Sequence, residues 1–546
     1  MLAAMKELSL SRKWTLLVLF ILYVFTLGIR IYWFSQKNTF HLDETASVQR
    51  ACGNTWTYEN NRGYTGKEAK EVGMLCRNNM FEDVYHLWQD NNDSSHTNLY
   101  YSLFRLSLGG IKSVDIQQII FRGGALNILL FTVSFIFFFL LMRLLFPGSP
   151  LLQLAATACA FLSTAAISNT LFLRPYQIQE TSFIVLCYYF FKTFDFTKHI
   201  IHDGKLYVNF RLLILLAFVT AFSMLTGYFA VVFVGLLGLY ALYDKNKSKK
   251  SIEILFYMAV MCLAVVFSQT LYLKYLYGYF SIRATDAGHL LTDHLFSQRI
   301  TLGYIKFTLL NFRILVMDHF FTYPILILCA LCVLLLILYR KQRVTISKYS
   351  LYIFVASMIY AFIILFLAPW KALRYIMPIF PFFILFPSTL IYSLGKQKIS
   401  AILMLLFLVF FSLGAFSKDR IEHISNPDIY TFRYDPAVPV FIFNKTPERY
   451  MEIVSWLNDN QMYYFNFSGA IDLDKTKEVY IVVDTTPEMI NTARLSPAEF
   501  KQNFLSLFFS AVPARGILAA MNSPQIEIEP KFLSQFFTGV KIRAKK

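Results

Sequence analysis

The chain predicts a polytopic α-helical membrane protein of about eleven transmembrane helices, followed by a small extracytoplasmic α/β domain. Three observations lead there. Of 546 residues, 56% are hydrophobic, 17% aromatic and only 16% charged, whereas soluble chains carry about 25% charged residues. The apolar residues fall in runs of roughly twenty, the length that crosses a bilayer as a helix. Lys and Arg collect in alternate short connections, as the positive-inside rule requires.

The apolar runs lie near 14–34, 118–142, 151–172, 178–194, 208–225, 228–243, 252–274, 321–339, 350–368, 375–394 and 399–416. Backbone groups in hydrocarbon find no water, so only helices or closed barrels cross, and these runs lack a barrel's alternation. The first run is too long for a signal-peptide core and no small-residue cleavage site follows it, so it reads as a retained anchor.

The net charge of +17 is topological, and nucleic acid is not expected as a partner. The basic connections hold Lys6, Arg12 and Lys13; Arg143; Lys192, Lys198, Lys205 and Arg211; Lys245, Lys247, Lys249 and Lys250; Arg340, Lys341, Arg343 and Lys348; Lys396 and Lys398. The short connections between them hold only Arg174, Lys371 and Arg374. This alternation puts the N-terminus in the cytoplasm and, with an odd number of spans, the C-terminal segment outside. The chain divides into a membrane domain, 1–416, with long outer loops 35–117 and 275–320, and a soluble domain, 417–546.

Five of the seven cysteines lie in spans and act as small apolar residues. Cys52 and Cys76 both fall in the first outer loop. An oxidising compartment can join them; the other reading is two unpaired thiols. In the last segment, 438–443 and 479–483 read as buried strands, and 446–457 and 496–509 as capped helices. That order points to an α/β unit, without a phosphate-cradling glycine loop. Sequons at Asn92, Asn444 and Asn466 matter only in a eukaryotic secretory setting.

Several ionisable and aromatic residues share the outer face. His41-Leu42-Asp43-Glu44 opens the first loop just past the first span. An acid at the lip of a bilayer is a functional suspect, although a pair of acids also begins many a solvated loop helix. His96 to Tyr101 closes the loop, and Arg122 lies near the outer end of the second span, where snorkelling also explains a lone arginine. Arg174-Pro175-Tyr176 makes a tight turn, since proline cannot continue a helix. Tyr228 sits in the next outer turn, and Lys371, Arg374 and Tyr375 in a late one that also reads as an interfacial aromatic belt. Arg283, Asp286, His289, Asp293 and His294 in the second long loop match no strong metal signature. No metal site is expected, and a divalent cofactor is not favoured.

Carboxylates facing a cationic ring at one membrane surface suit group transfer from a lipid phosphate to a hydroxyl. Arg and Lys hold phosphate oxygens by charge-assisted hydrogen bonds. Those contacts strengthen as a phosphate leaves, while a carboxylate takes the proton of the attacking hydroxyl.

These residues resemble the membrane glycosyltransferases of the C fold class, above all protein O-mannosyltransferases and the lipid A aminoarabinose transferase. The likeness rests on five places, in order: Asp43-Glu44, His96 to Tyr100, Arg122 to Leu126, Arg174 to Tyr176 and Arg374 to Pro378. It covers roughly residues 10 to 400, excludes the last domain, and departs at Thr97 and Asn98, where prolines are usual. The resemblance implies an inverting transfer of a sugar from a polyprenyl monophosphate carrier to an extracytoplasmic acceptor that is a lipid, glycan or protein. Asp43 would be the general base, with Glu44 supporting it or orienting the acceptor. Arg374 and Lys371 would hold the phosphate, with Arg174, Arg122 and His96 as lesser candidates. Tyr176, Tyr228 and Tyr375 would line the substrate pocket. Residue usage points to a bacterial inner membrane and hence to undecaprenyl phosphate. The rival readings are a metal-dependent oligosaccharyltransferase of the same fold class, a secondary transporter, and a scaffold whose working part is the outer domain.

Overall fold

A computed structural model gives the fold. It describes residues 12–54, 58–59, 61–77, 79–89, 96–111, 113–196, 201–202, 205–206, 210–247, 251–278, 302–338, 347–368, 371–395, 397–424, 435, 437–443, 454, 457–465, 478–484, 526–533 and 537–544. Two compact units result. One comprises Met1–Gln36, Val84–Ser107 and Phe121–Ile424; the other comprises Lys37–Asp83, Leu108–Ile120 and Ser425–Lys546.

The first unit is helical. Helices occupy all eleven apolar stretches: Arg12–Gln36, Ile116–Leu145, Pro150–Leu162 with Thr164–Leu171, Tyr176–Phe196, Phe210–Met224, Ala230–Lys247, Ser251–Leu271, Tyr323–Leu338, Lys348–Leu367, Met377–Ile384 with Leu385–Ser393, and Gln397–Ala415. Among the described residues, four helices are long and apolar enough to cross a membrane, or up to six if each bent pair is one span. Met377–Ile384 is a 3₁₀ stretch with Pro378 and Pro381, because each proline removes an amide donor from the ladder.

Two helix pairs are sharply bent. Pro150–Leu162 and Thr164–Leu171 meet at 58°, and Gly303–His319 and Tyr323–Leu338 at 91°. A break strands carbonyls that hydrocarbon cannot satisfy. At the first break Arg30 repairs the loss. Its guanidinium donates to the Phe161 and Ala166 carbonyls at 3.0 and 3.5 Å, to Thr170 Oγ1 at 3.0 Å, and to its own helix at the Thr26 carbonyl, 3.1 Å. It also lies 3.8 Å from the Phe131 ring centroid, a cation–π contact. From Thr170 the network runs through Gln177 (2.9 Å) to the Glu180 carboxylate (2.9 Å), which also accepts from Asn169 at 3.0 Å. Sequence reading passed over both Arg30 and Glu180, which lie inside apolar runs.

Small residues set the closest helix approaches in this unit. A Cβ added to Gly123 would meet the Phe104 ring at 2.6 Å, and one at Gly124 the Phe34 ring at 2.9 Å. The Arg122-Gly-Gly-Ala-Leu motif therefore marks a packing seam as much as a cation.

The second unit contains a six-stranded mixed sheet of β1 (Gly63–Thr65), β2 (Val440–Phe443), β3 (Met462–Phe465), β4 (Glu478–Asp484), β5 (Ile526–Leu533) and β6 (Phe537–Ala544), in the order β1-β3-β2-β4-β6-β5. β2 runs parallel to β3 and β4; the remaining pairs are antiparallel. The unit is thus not built from the C-terminal segment alone, because β1 comes from the first outer loop. The expected strands at 438–443 and 479–483 correspond to β2 and β4. The expected helices 446–457 and 496–509, and the three sequons, lie outside the described residues apart from isolated positions. Cys52 and Cys76 are disulfide-bonded across a separation of 24 residues.

Candidate functional site

In the second unit the motif His41 to Glu44 starts the helix Leu42–Ala51. His41 is the N-cap: its Nδ1 accepts from the Asp43 amide at 3.1 Å, and Glu44 Oε2 accepts from the His41 amide at 2.8 Å, completing a capping box. Glu44 is fully buried and pairs with the equally buried Lys37 at 2.9 Å. Burial lowers the Lys37 pKa, and Glu44 opposes that shift. Asp43 differs: its side chain is 23% exposed and lies 3.6 Å from the His41 ring. One carboxylate is committed to the fold, and its neighbour keeps access to solvent.

In the helical unit the Arg174-Pro175-Tyr176 turn organises one end of the bundle. Asn127 donates to the Thr170 and Phe172 carbonyls, both at 2.9 Å, which fixes the approach to the turn. Arg174 is buried and donates to the Tyr101 hydroxyl at 2.9 Å. Tyr176 meets the His96 ring edge-on at 5.3 Å and the Tyr375 ring at 6.4 Å. These three rings, with Gln179, Gly227, Phe229 and Tyr360, line a cavity of about 20 Å³, room for about one water.

The remaining candidates are distributed differently. Tyr228 stays out of that cavity and packs against Tyr275 at 5.9 Å. Arg122 donates to the Ser107 carbonyl at 3.5 Å. Lys371 donates to the Ala368 carbonyl at 2.7 Å, the Tyr304 hydroxyl at 2.8 Å and the Phe366 carbonyl at 3.4 Å. It thereby closes the carboxyl end of Lys348–Leu367, and burial brings its pKa down to about 8. All three of its N–H directions have acceptors, so a phosphate would have to displace one. Arg374 stacks on Tyr375 at 5.1 Å and opposes the burial that raises the Glu422 pKa.

Here the fold meets known structures. Crystal structures of ArnT from Cupriavidus metallidurans are similar in fold: one in the apo state, at 9% identity and a TM-score of 0.42, and one bound to undecaprenyl phosphate, at 11% and 0.45. Each match covers 95% of this chain and 97% of the other. No family model and no curated protein matches the chain. Likeness at this level carries neither a reaction nor a ligand over to this protein.

The sequence reading missed several residues of this end. Glu422 and His423, assigned to the soluble segment, belong to the helical unit. His423 stacks on Phe172 at 3.8 Å, and the Glu422 amide donates to Ser168 Oγ at 2.9 Å. Their only sequence signal is proximity to the last span. Among the described residues no group of three or more His, Cys, Asp or Glu is placed to hold a metal. The tract from Arg283 to His294 lies outside the described residues.

Proposed function

We propose that the chain is an inverting glycosyltransferase of a bacterial inner membrane, with about eleven spans, a cytoplasmic N-terminus and an extracytoplasmic C-terminal segment. It moves a sugar from a polyprenyl monophosphate, taken to be undecaprenyl phosphate, to a hydroxyl of an extracytoplasmic lipid, glycan or protein. The observation that carries this reading is the end of the helical unit: a cavity walled by His96, Tyr176 and Tyr375, flanked by Arg174 and Arg374. Rings with cations beside them suit a sugar phosphate. The enclosed space is far smaller than a sugar, so binding requires the walls to part. The Cys52–Cys76 disulfide supports the sidedness, because such bonds persist in oxidising compartments.

In the proposed step the acceptor oxygen bonds to the anomeric carbon as the bond from that carbon to the phosphate oxygen breaks. The phosphate leaves with the electron pair, and Asp43 takes the acceptor's proton. Asp43 is the carboxylate assigned because Glu44 is committed to Lys37 and the capping box. No metal enters this step.

The test is mass spectrometry of envelope lipids, glycans and proteins from cells carrying the wild-type gene, no gene, or Asp43→Asn. The expected result is a hexose or pentose mass lost in both altered strains, with the variant present at wild-type level. Normal glycosylation with Asp43→Asn removes the base assignment, and an unchanged envelope in the deletion removes the reading. The two bent helix pairs favour one alternative, a secondary transporter, since broken helices are common there. Uptake of a labelled solute into proteoliposomes distinguishes it.

A further inference from the structure

The two bends in the helical unit meet at one cavity. Its volume is about 370 Å³, within the range of ligand sites, and it is separate from the cavity at Tyr176. Ser163 and Thr164 bring the first break to it, His319 and Thr322 the second, and Ser417 and Arg420 the chain leaving the last helix. Thr164 Oγ1 lies 3.2 Å from His319 Nδ1 and donates to the His319 carbonyl at 3.3 Å, locking the two breaks together. The opposite wall is apolar, formed by Phe320, Ile325, Phe410 and Phe411. Irregular backbone at membrane depth persists where it lines a cavity, and here two interruptions line the same one.

The lining says what the cavity suits. Among the described residues that line it, Arg420 is the only permanently charged one and none is a carboxylate. Glu422 lies 3.8 Å from His319 Nε2, outside the lining. Trp33 Nε1 donates to the Ala415 carbonyl at 2.9 Å, so the first and last helices end together. The chain after the last helix then folds back onto Ser168. Phe410 and Phe411 lie inside the last helix, Phe411 four residues or about 6 Å before its end at Ala415, and Arg420 follows that end. The cation is therefore at the end of the bundle and the apolar wall beneath it. Leu413, on the same lining, is 67% exposed on the outer surface of the helices. Entry from that side is from hydrocarbon.

We propose that this cavity holds an anionic membrane phospholipid, its phosphate at Arg420 and one acyl chain along Phe410, Phe411 and Ile325. The lipid seals the gap that the two bends open. The inference does not rest on the transferase reading, because it concerns a different cavity and is tested without turnover.

The full-length protein in detergent is titrated with phosphatidylglycerol or phosphatidylcholine and observed by native mass spectrometry. The expected result is one tightly retained phosphatidylglycerol and at least about tenfold weaker retention of phosphatidylcholine, the size of effect a charged hydrogen bond supports. Arg420→Gln lowers phosphatidylglycerol retention by a similar factor, whereas Lys418→Gln, an exposed neighbour outside the lining, leaves it unchanged. Gly414→Leu is the second variant: Gly414 lines the cavity, and a Cβ there meets nothing within 4 Å. It fills the space with Arg420 intact and also abolishes retention. Equal retention by the wild type and both lining variants, or equal loss with Lys418→Gln, overturns the proposal. So does one-for-one displacement of phosphatidylglycerol by undecaprenyl phosphate, which would give the cavity to that lipid.

Discussion

Two buried acids in this protein are held in contrasting ways. Glu44, in the second unit, touches its cation directly: Lys37 Nζ is 2.9 Å away, and the same carboxylate oxygen accepts the His41 amide. Glu180, in the helical unit, reaches its cation only through a relay from Arg30 by way of Thr170 and Gln177. The direct pair fixes the start of one helix. The relay ties a broken span to its neighbours, and its cation serves stranded carbonyls first and the acid second. A direct pair fails when either partner is removed. A relay tolerates loss of charge at its acidic end if the hydrogen bonds survive.

The largest expected effect is at the cation of the relay. Arg30→Met strands the Phe161 carbonyl and leaves Glu180 without its distant partner, at a cost of about 3–5 kcal/mol, read as loss of folded protein or a much lower Tm in detergent. Lys37→Met is expected to cost a similar amount in the second unit by leaving Glu44 buried and unpaired. Lys37→Met with Glu44→Gln should recover a substantial part of it, and additive losses in that double-mutant cycle would show that the two side chains do not act as a pair. Replacing Cys52 and Cys76 by serine releases a loop of 24 residues, worth roughly 3 kcal/mol in chain entropy. That loss should appear in protease sensitivity of the first outer loop. The smallest effect is expected from Glu180→Gln, about 1–2 kcal/mol, because the amide oxygen still accepts from one of Gln177 and Asn169 while its NH2 group faces the other donor. A loss as large as that of Arg30→Met would mean that the charge, and not the hydrogen-bond chain, holds this region.

A pH dependence follows from Lys371, whose pKa lies near 8 because burial disfavours its ammonium form. In the unfolded chain the amine keeps its proton to about pH 10.4. Between those values the unfolded state binds more protons, so this residue's contribution to stability grows as pH rises. Donor binding should move the opposite way, weakening above about pH 8 as the positive charge is lost. Lys371→Arg should remove that decline. Identical binding profiles for the two proteins would exclude Lys371 from phosphate recognition and leave it as the closure of its helix.

Most of the helices were legible in the sequence because hydrocarbon imposes a single length and composition, and each apolar run is helical; Leu302–His319, read as part of the outer loop 275–320, was not. The interruptions were not: nothing in the run 151–172 announces a bend at Ser163, since its repair comes from Arg30, more than a hundred residues away. The same non-locality hid Glu180, which reads as one polar residue within a helix. In the site, Arg174, Tyr176, His96 and Tyr375 stood out as polar or aromatic groups at span ends, and the structure gathers them within the helical unit. Gln179, Phe229 and Tyr360 were invisible because they look like ordinary helix residues. Lys371 was visible but ambiguous, as a lysine beside a helix end serves that helix's carbonyls as readily as a ligand.

Strand β1 contributes three residues to a sheet whose other members all lie beyond residue 439. Gly63–Thr65 pairs with Met462–Phe465, and Lys70 reaches Asp459 at 2.8 Å. A ribosome therefore releases the first loop long before its partner strand exists. During synthesis that short edge must wait, guarded by little more than its own helices and the nearby sulfur bridge. A premature stop anywhere before the late strands would orphan it, so damage at the far end of the gene should be felt first at the beginning of the protein.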